Sequence, residues 1–337
     1  MEKKKFQFST AAVDYFFSGS FTKLKEVVDP KKAILITDEN IYNNHTAKFK
    51  NWDVIVLKPG EQYKVQATVD AVIDQLIEMG ADRTATLVGV GGGVITDLTG
   101  YIASIYMRGI SFGFVPTTIL ALVDASIGGK NGIDVGIYKN MAGTIRQPAF
   151  ILHDLAFLNT LPAEEWKSGF AEIIKHASIK DVAMFKQLEE NSIAAFQKKK
   201  QLIADLVKRN ALIKTKVVQQ DEFEKGDRKL LNFGHTLGHA LENQYELTHG
   251  EAISIGMAYA ANLSQSINGF KQADRVISLL EKYQLPTFAQ FNKDKVISVL
   301  SKDKKKVKDS IQFILLEKVG KAVIQPISID QIYQTLA

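Results

Sequence analysis

Residues 85–104 read ATLVGVGGGVITDLTGYIAS, and this stretch decides the class of fold. Ala85–Val90 is a short run of mainly apolar residues, the glycines Gly91–Gly93 follow it, and apolar residues then recur at helical spacing. A buried strand that passes through glycines directly into a helix begins a βαβ unit. Such a turn can hold a pyrophosphate, because glycines expose the N–H groups at the helix N-terminus. Val94 stands where the G-x-G-x-x-G pattern requires its last glycine, so a dinucleotide site and a simple tight turn both stay open.

The rest of the first 160 residues repeats the same alternation of strand and helix. Runs of strand length are Ala33–Thr37, Val54–Leu57, Ser111–Val115 and Ala149–Leu152, and helical spacing marks Val65–Met79 and Val94–Met107. This order is typical of a parallel sheet covered by helices. From Leu161 onward the pattern is mainly helical, with Lys198–Lys200 inside one helical stretch and Gln312–Leu316 as a late strand. We therefore predict an α/β, Rossmann-like domain over residues 1–160 and a mainly α-helical domain over residues 161–337.

Composition excludes several classes of protein. The 337 residues contain no cysteine, which excludes disulfides, thiolate metal ligands and a thiol nucleophile. Lys and Arg number 42 against 37 Asp and Glu, and the net charge of +5 is compatible with an anionic substrate. Aromatic residues do not interleave with the lysine runs, so we expect no nucleic-acid partner. No apolar run approaches the roughly 20 residues of a membrane span, so we predict a soluble, cytoplasmic protein with no membrane partner.

Histidines and one acid in the second half of the chain predict a metal site. His235 and His239 are four residues apart and share a helix face, and His249 precedes another apolar helix. Glu172 lies among apolar residues of its own predicted helix, where a carboxylate is costly to bury unless it is paired or metal-bound. One carboxylate and two imidazoles would leave an open position on Zn²⁺ or Fe²⁺ for a substrate oxygen. The spacing leaves open which two histidines are ligands, and His235 with His239 is the simplest choice.

Several cations lie in or beside these motifs. They are Arg108, Lys130, Lys139, Lys175, Lys214, Arg228 and a lysine of the run KDKKKVK at 302–308. Cations gathered in one site repel one another unless anions balance them. A substrate that carries both phosphate and carboxylate would supply that balance, because Arg and Lys bind both groups.

Most of these residues fall within motifs that resemble the 3-dehydroquinate synthase family. These motifs are GVGGGVITDLTGYIAS (89–104), YMRG (106–109), VPTTILALVDASIGGKNGID (115–134), KNMAGTIRQP (139–148), FLNTLP (157–162), GFAEIIKH (169–176), DEFEKGDRKLLNFGHTLGHALE (221–242) and THGEAISIGMA (248–258). The family belongs to the sugar phosphate cyclases, which share a fold with glycerol dehydrogenase and the iron-dependent alcohol dehydrogenases. The resemblance therefore implies that residues 1–160 bind NAD and that residues 161–337 bind a metal and the substrate.

The resemblance also implies an activity, that of a carbon–oxygen lyase. The family converts 3-deoxy-D-arabino-heptulosonate 7-phosphate to 3-dehydroquinate and phosphate in the shikimate pathway of aromatic amino acid biosynthesis. The implied route is transient oxidation by NAD, phosphate elimination, re-reduction and intramolecular aldol cyclisation, in a homodimer that holds NAD and a divalent metal, usually Zn²⁺ and alternatively Co²⁺. Two other activities compete with it. One is cyclisation of sedoheptulose 7-phosphate, which has no carboxylate, and the other is metal-dependent oxidation of a polyol.

The cofactor residues follow from the resemblance by position. The implied metal ligands are Glu172, His235 and His249, so the resemblance places His239 against the substrate instead. The implied contacts to NAD are Asp38, Asn40, Glu61, Lys64, Gly92, Gly93, Val94, Asp97, Thr117, Thr118, Asp124, Lys139, Phe157, Thr160, Leu161 and Glu165.

The resemblance assigns the remaining site residues to the substrate. Those similar to the family's phosphate pocket are Lys130, Asn140, Asn232, His239 and Lys304 or Lys305, and Arg108 resembles an arginine lent by the neighbouring subunit. The positions that match the carboxylate contacts are Lys214 and Arg228, and those that match a hydroxyl-orienting pair are Asp124 and Lys175. The family offers no role for Asp134 or Tyr138, which follow Lys130 in the sequence.

Overall fold

The computed structural model describes residues 1–136, 138–242, 244–301, 306–307 and 310–336. These residues form two compact units, Met1–Glu165 with Val207–Phe223, and Trp166–Leu206 with Glu224–Ala337. Val207–Phe223 lies in the first unit, although the division predicted at residue 160 places it in the second domain. The reason is packing, because Ala211 and Val218 belong to the hydrophobic core of the first unit. The division itself stays a prediction about domains.

The first unit is built on a mainly parallel sheet. Its strands and those of a neighbouring hairpin are β1 (Glu2–Gln7), β2 (Ala12–Phe17), β3 (Ala33–Asp38), β4 (Asp53–Leu57), β5 (Thr86–Gly91), β6 (Ser111–Pro116), β7 (Lys130–Val135), β8 (Tyr138–Ile145) and β9 (Phe150–Leu152). Within the described residues, seven of them form one sheet in the order β1-β2-β9-β6-β5-β3-β4, and β7 pairs with β8. β1 runs antiparallel to β2, and the other neighbours in the seven-stranded sheet are parallel. The predicted α/β class is confirmed.

Helices cover this sheet and connect its strands. They are α1 (Glu39–Asn44), α2 (Thr46–Phe49), α3 (Gln66–Glu78) and α4 (Gly93–Ile105), with 3₁₀ turns at Phe21–Glu26, Glu61–Tyr63, Tyr106–Arg108 and Leu155–Thr160 and a π turn at Ala121–Ala125. Successive residues of β3 belong to different cores. Ile34 and Ile36 pack in one hydrophobic cluster, and Leu35 packs in another with Val88 and Val90. A strand buried on both faces reads as a continuous apolar run, which is why this part of the sequence predicts its strands well.

Parallel pairing brings the carboxyl ends of the central strands to one edge of the sheet. Asp38, the last residue of β3, is opposite Leu57 of β4, and Gly91 at the end of β5 is opposite Pro116 of β6. Open α/β sheets bind ligands at this edge. The turn at Gly92 and the first turn of α4 therefore lie where a ligand site is expected.

Two features of the first unit differ from the sequence prediction. The basic N-terminal segment forms the paired strands β1 and β2, and the segment after Lys130 forms the β7–β8 hairpin. Neither hairpin has the long apolar run that marks a central strand. From Lys3 to Gln7, β1 alternates exposed and partly buried residues at the edge of the sheet, and every residue of β8 is exposed or half-buried.

The second unit is mainly helical, as predicted. Its helices are α5 (Ala163–Lys180), α6 (Val182–Glu190), α7 (Ile193–Lys198), α8 (Lys200–Gln220), α9 (His235–Glu242), α10 (His249–Asn268), α11 (Ala273–Lys282), α12 (Lys293–Ser301) and α13 (Ile329–Thr335), α5 starting and α8 ending in the first unit. A small antiparallel sheet contains β10 (Lys306–Val307), β11 (Ser310–Lys318) and β12 (Lys321–Ser328), so the predicted late strand is present. The prediction of one helix through Lys198–Lys200 is wrong, because Lys199 has an extended backbone (φ −106°, ψ 92°) that ends α7.

Small residues let α9 and α10 pack closely. A Cβ atom at Gly256 of α10 would overlap the carbonyl oxygen of Gly234, and one at Gly250 would overlap the backbone of Ser168. α10 also begins with a capping box, in which Thr248 and Glu251 satisfy each other's backbone N–H groups. These contacts hold the N-terminus of α10, and with it His249, close to α5 and α9.

The packing at Gly256 makes a stability prediction. Gly256→Ala is expected to lower the free energy of unfolding by about 1–3 kcal/mol or more, because the added methyl group forces apart two backbones that are in contact. Urea titration monitored by circular dichroism measures the change. Gln265→Ala on the exposed side of the same helix is the control and should stay within about 0.5 kcal/mol of the unaltered protein. Equal stability of both variants would contradict the packing argument.

Candidate active-site residues

Three residues from three helices of the second unit form a compact cluster of metal-ligand type. Glu172 lies in the middle of α5, His235 is the first residue of α9, and His249 is the first residue of α10. Glu172 Oε1 is 3.1 Å from Nε2 of His249 and 3.4 Å from Nε2 of His235. One ligand atom from each residue lies within 4.8 Å of the others. The pair predicted from helical spacing, His235 with His239, is therefore not the pair that the structure brings to Glu172.

The other polar atom of each side chain in this cluster contacts a neighbouring residue. Glu172 Oε2 forms an ion pair with Lys175 one helical turn away. His235 Nδ1 donates to the carbonyl oxygen of Phe233 at 3.2 Å, and His249 Nδ1 lies 3.4 Å from Glu242. Ring nitrogens and carboxylates that are oriented in this way are the usual second shell of a metal site.

Protonation in the cluster follows from burial and charge. Burial opposes the charged form of Glu172, but Lys175 and His235 hold its pKa well below the usual value. Burial lowers the pKa of His235 to about 4, so its ring is neutral, as a ligand requires. Burial would also lower the pKa of His249, but hydrogen bonds to Glu172 and Glu242 raise it to about 10. The buried carboxylate and the two imidazoles fit a divalent cation that would replace the shared proton.

The glycine turn after β5 has the geometry of an anion cradle. Gly92 precedes the first turn of α4, and within the described part of the chain no side chain caps that helix. A Cβ atom at Gly91 would lie 2.5 Å from Ile95, and one at Gly92 would lie 3.1 Å from Thr118. The hydroxyl of Thr117 is buried, and no described residue forms a hydrogen bond with it. Close backbone approach and an unused hydroxyl fit the pyrophosphate of a dinucleotide.

Charged residues of the first unit gather near the same helix. Buried Lys64 is 2.5 Å from Asp97 of α4 and donates to Asn140 Oδ1 at 2.7 Å. Lys139 reaches Glu61 at 3.1 Å. The structure therefore brings together four of the residues that the resemblance assigns to NAD and one that it assigns to phosphate.

A second group of the predicted NAD contacts lies around α1. Asp38 Oδ1 accepts the N–H of Ile41 and so caps α1, and burial raises the pKa of this carboxyl. Asn40 follows in the first turn of that helix. His45, which the sequence did not single out, bonds the hydroxyl of Thr160 at 2.8 Å and meets the ring of Phe157 edge-on. Leu161 ends the 3₁₀ turn Leu155–Thr160, and Glu165 lies in the first turn of α5.

Lys214 and Asp124 are in contact within the first unit. Lys214 Nζ lies 2.9 Å from Asp124 Oδ2 and donates to the carbonyl oxygen of the same residue at 2.7 Å. Asp124 lies in the π turn Ala121–Ala125, where the widened helix turns its residues out of a regular α-helical register. Two positions that the resemblance assigns to the substrate thus meet here.

The remaining predicted residues of the second unit lie in and after the 3₁₀ turn Asp227–Asn232. Arg228 is 2% exposed, and Asn232 donates to Glu224 Oε1 at 2.7 Å. His239 lies one turn along α9, with its ring 5.1 Å from that of His235. Glu224 was missed from the sequence, although it lies within a quoted motif. Its φ of +58° is rare for a residue with a side chain and marks a constrained position.

Two predicted residues of the first unit are exposed, one at a turn and one at the start of a strand. Arg108 has a φ of +67°, precedes Gly109 at φ +115° and is exposed, and Lys130 is exposed at the start of β7. Lys304 and Lys305 lie outside the described residues. Among the described helices, none combines the length and the apolar character that a bilayer crossing needs.

Comparison with known protein families gives two adjoining matches. Residues 54–168 match the 3-dehydroquinate synthase N-terminal family, and residues 169–306 match the 3-dehydroquinate synthase C-terminal family. A 3-dehydroquinate synthase from Thermoanaerobacter pseudethanolicus is 36% identical over an alignment of 340 positions that covers 96% of each chain.

Solved structures with the same fold include other cyclases and dehydrogenases. A 2-deoxy-scyllo-inosose synthase complexed with carbaglucose-6-phosphate, NAD⁺ and Co²⁺ has a TM-score of 0.84, 26% identity and 99% coverage of both chains. The 2-epi-5-epi-valiolone synthase of Streptomyces hygroscopicus with NAD⁺ and Zn²⁺ has a TM-score of 0.88, 25% identity and coverage of 99% and 96%. An iron-containing alcohol dehydrogenase from Thermotoga maritima (TM-score 0.70, 12% identity, 98% coverage of both chains) shares the fold.

Proposed function

Because the chain belongs to the 3-dehydroquinate synthase family, we propose that it converts 3-deoxy-D-arabino-heptulosonate 7-phosphate to 3-dehydroquinate and phosphate. The observation that supports this choice of reaction is the 36% identity over nearly the whole chain to a 3-dehydroquinate synthase. Enzymes of the family are carbon–oxygen lyases. The reaction belongs to the shikimate pathway of aromatic amino acid biosynthesis, and we propose the cytoplasm as its place.

The proposed cofactors are NAD and a divalent metal, Zn²⁺ or Co²⁺. Glu172, His235 and His249 would hold the metal, and Gly92, Gly93, Val94 and Thr118 would surround the NAD pyrophosphate with Thr117. When bound, NAD accepts and returns a hydride while the metal acidifies a substrate hydroxyl. The Thr117 hydroxyl, which forms no hydrogen bond with any described residue, and the oriented rings of both histidines support these assignments.

The chain's own residues would bind and orient the substrate. Buried cations suit its carboxylate, and we assign Lys214 and Arg228 to it, because each presents donors that match an anion. Lys175, held by its ion pair with Glu172, and Asp124, held by Lys214, would orient hydroxyl groups. Lys130, Asn140, Asn232, His239 and Lys304 or Lys305 would bind the phosphate. Orientation of this kind contributes about 7–11 kcal/mol to catalysis in favourable cases.

A homodimer is part of the proposal. Ile105 and Met107, at and after the end of α4, and Met141 and Ile145 of β8 expose large apolar side chains. Thr144 of β8 bonds Ser104 of α4, so the two elements are neighbours, and exposed apolar side chains on neighbouring elements commonly mark an interface with another protein. Arg108 follows Met107 directly, so an interface there would carry this arginine to the second subunit.

The experiment that tests the proposed function measures two products at once. Purified protein, Zn²⁺ and a trace of NAD⁺ are mixed with the heptulosonate phosphate, and released phosphate and NADH absorbance are followed together. We expect phosphate and dehydroquinate to form in equal amounts without accumulation of NADH. Cyclisation of sedoheptulose 7-phosphate in preference would indicate one of the other cyclases. NADH production from a polyol without phosphate release would indicate a dehydrogenase and overturn the proposal.

A further inference from the structure

The hairpin after Lys130 contains an irregularity at Asp134. The register of β7 and β8 shifts between Ile133 and Val135, so that Asp134 alone faces three residues, Lys139–Met141. Asn140 in this bulge has a φ of +53°, a left-handed conformation that side-chain-bearing residues rarely adopt. A β-bulge changes the direction in which side chains point and is frequent beside active sites. The residue that stabilises this bulge therefore affects where the neighbouring side chains lie.

The side chain of Asp134 stabilises this bulge. Its Oδ1 accepts the N–H of Asn140 at 2.7 Å, and its Oδ2 lies 3.6 Å from Nζ of Lys139. Its own N–H donates to the carbonyl oxygen of Lys64 at 2.8 Å. The side chain is 10% exposed, so its two oxygens depend on these partners more than on water. The Asp134 carboxylate thus accepts the Asn140 N–H, which the bulge removes from the β7–β8 hydrogen-bond pattern, and it also faces Lys139.

The bulge turns two neighbouring side chains to the same side. In a regular strand, Lys139 and Asn140 would point to opposite faces. Here Lys139 Nζ contacts Glu61 Oε1 at 3.1 Å, and Asn140 Oδ1 accepts from Lys64 Nζ at 2.7 Å. Both side chains therefore reach the segment from Glu61 to Lys64, which also contacts Asp97 of α4.

The contact with Lys64 also sets the orientation of the Asn140 amide. A lysine ammonium group only donates hydrogen bonds, so the atom that faces it is the carbonyl oxygen. The NH₂ group of Asn140 is then the part of the side chain that can donate to an anion. This orientation matches the phosphate-binding role proposed for Asn140.

We propose that Asp134 is a positioning residue that holds Lys139 and Asn140 in their binding orientations. The roles of these two residues, toward NAD and toward the substrate phosphate, rest on the proposed function. Asp134 acts through them and contacts neither ligand in this proposal. Its carboxylate contacts both Lys139, which is assigned to NAD, and Asn140, which is assigned to the phosphate pocket.

Three substitutions at Asp134 distinguish its role as a hydrogen-bond acceptor from the role of its negative charge. Asp134→Asn keeps an oxygen for the Asn140 N–H, Asp134→Ala removes it, and Asp134→Glu keeps the charge but displaces the oxygen by one methylene. We expect Asp134→Ala and Asp134→Glu to weaken NAD⁺ binding and to raise KM for the phosphate substrate, each on the order of 10-fold, with kcat changed less than about 3-fold. Asp134→Asn should stay within about 3-fold of the unaltered enzyme. Calorimetric titration of NAD⁺ and initial-rate kinetics give these values.

Hydrogen exchange of the peptide that covers residues 138–145 tests the bulge without reference to activity. We expect faster exchange in Asp134→Ala and Asp134→Glu than in Asp134→Asn. Tyr138→Ala, which removes an exposed side chain from the same hairpin, is the matched control and should leave NAD⁺ affinity unchanged. If the unaltered protein shows no synthase activity but the exchange and NAD⁺ results hold, the proposed function fails and Asp134 stands as a cofactor-positioning residue. Unchanged exchange and NAD⁺ affinity in Asp134→Glu overturn the inference, even where Asp134→Ala does not fold.

Discussion

Replacing His235 with alanine is expected to abolish metal binding and turnover together, whereas replacing His239 with alanine leaves the metal bound. His235 Nε2 faces Glu172, and its Nδ1 is held by Phe233, so its loss leaves the cluster one ligand short. We expect metal affinity to fall at least ~100-fold and kcat to fall about 1,000-fold or more in His235→Ala. In His239→Ala we expect full metal content and a kcat lower by about 100-fold, because a group that binds and orients the substrate phosphate is lost while the metal ligands stay.

The two histidines make a matched pair, because they lie one turn apart on α9 and have the same chemistry. Metal content is measured by mass spectrometry after dialysis, and turnover by phosphate release. Glu172→Gln, nearly isosteric, should behave like His235→Ala, because an amide is a poor metal ligand. If His239→Ala lost the metal as His235→Ala does, His239 would be a ligand and the assignment of Glu172, His235 and His249 as the ligand set would be wrong.

Replacing Arg228 with methionine is expected to abolish the preference for a substrate that carries a carboxylate. Removal of one partner of a buried charge pair costs about 2–5 kcal/mol, which corresponds to about 30-fold or more in kcat/KM. We expect that loss with the heptulosonate phosphate. With sedoheptulose 7-phosphate, which has no carboxylate, we expect Arg228→Met to change kcat/KM little. The ratio of the two kcat/KM values is therefore the informative measurement.

Two further variants control this prediction. Arg83→Met replaces an arginine on an exposed turn of the first unit and should leave both values unchanged. Arg228→Lys keeps a charge but loses the two-pronged geometry of the guanidinium, so a partial loss is expected. NAD⁺ affinity serves as the test of folding. An equal loss of kcat/KM with both substrates would show that Arg228 acts on something other than the carboxylate.

The sequence predicts the central part of this fold well. The strands that are buried on both faces read as continuous apolar runs, and the glycines after β5 mark the turn into α4. The same reasoning finds Glu172, because a carboxylate among apolar helical residues is costly without a partner, and the structure supplies Lys175, His235 and His249.

Other features depend on tertiary packing and lie beyond sequence patterns. Helical spacing favours His235 with His239, but the packing of α9 against α10 brings His249 to Glu172 instead. Glu224 resembles any acid of a polar segment until its contact with Asn232 is seen. The bulge at Asp134 has no signature of its own, because a left-handed conformation at Asn140 is stabilised by a residue on the opposite strand.

One edge of the large sheet is formed by β1, and its lysines oppose pairing with the strands of other chains. β1 is the outermost strand next to β2, and it reads EKKKFQ with three consecutive lysines. An open strand edge is a template for pairing with other chains, and lysines along it oppose such pairing by repulsion and by their hydration. Concentrated salt shortens the range of this repulsion. We therefore expect concentrated salt to favour association of the protein along this strand, which light scattering at increasing salt concentration would detect.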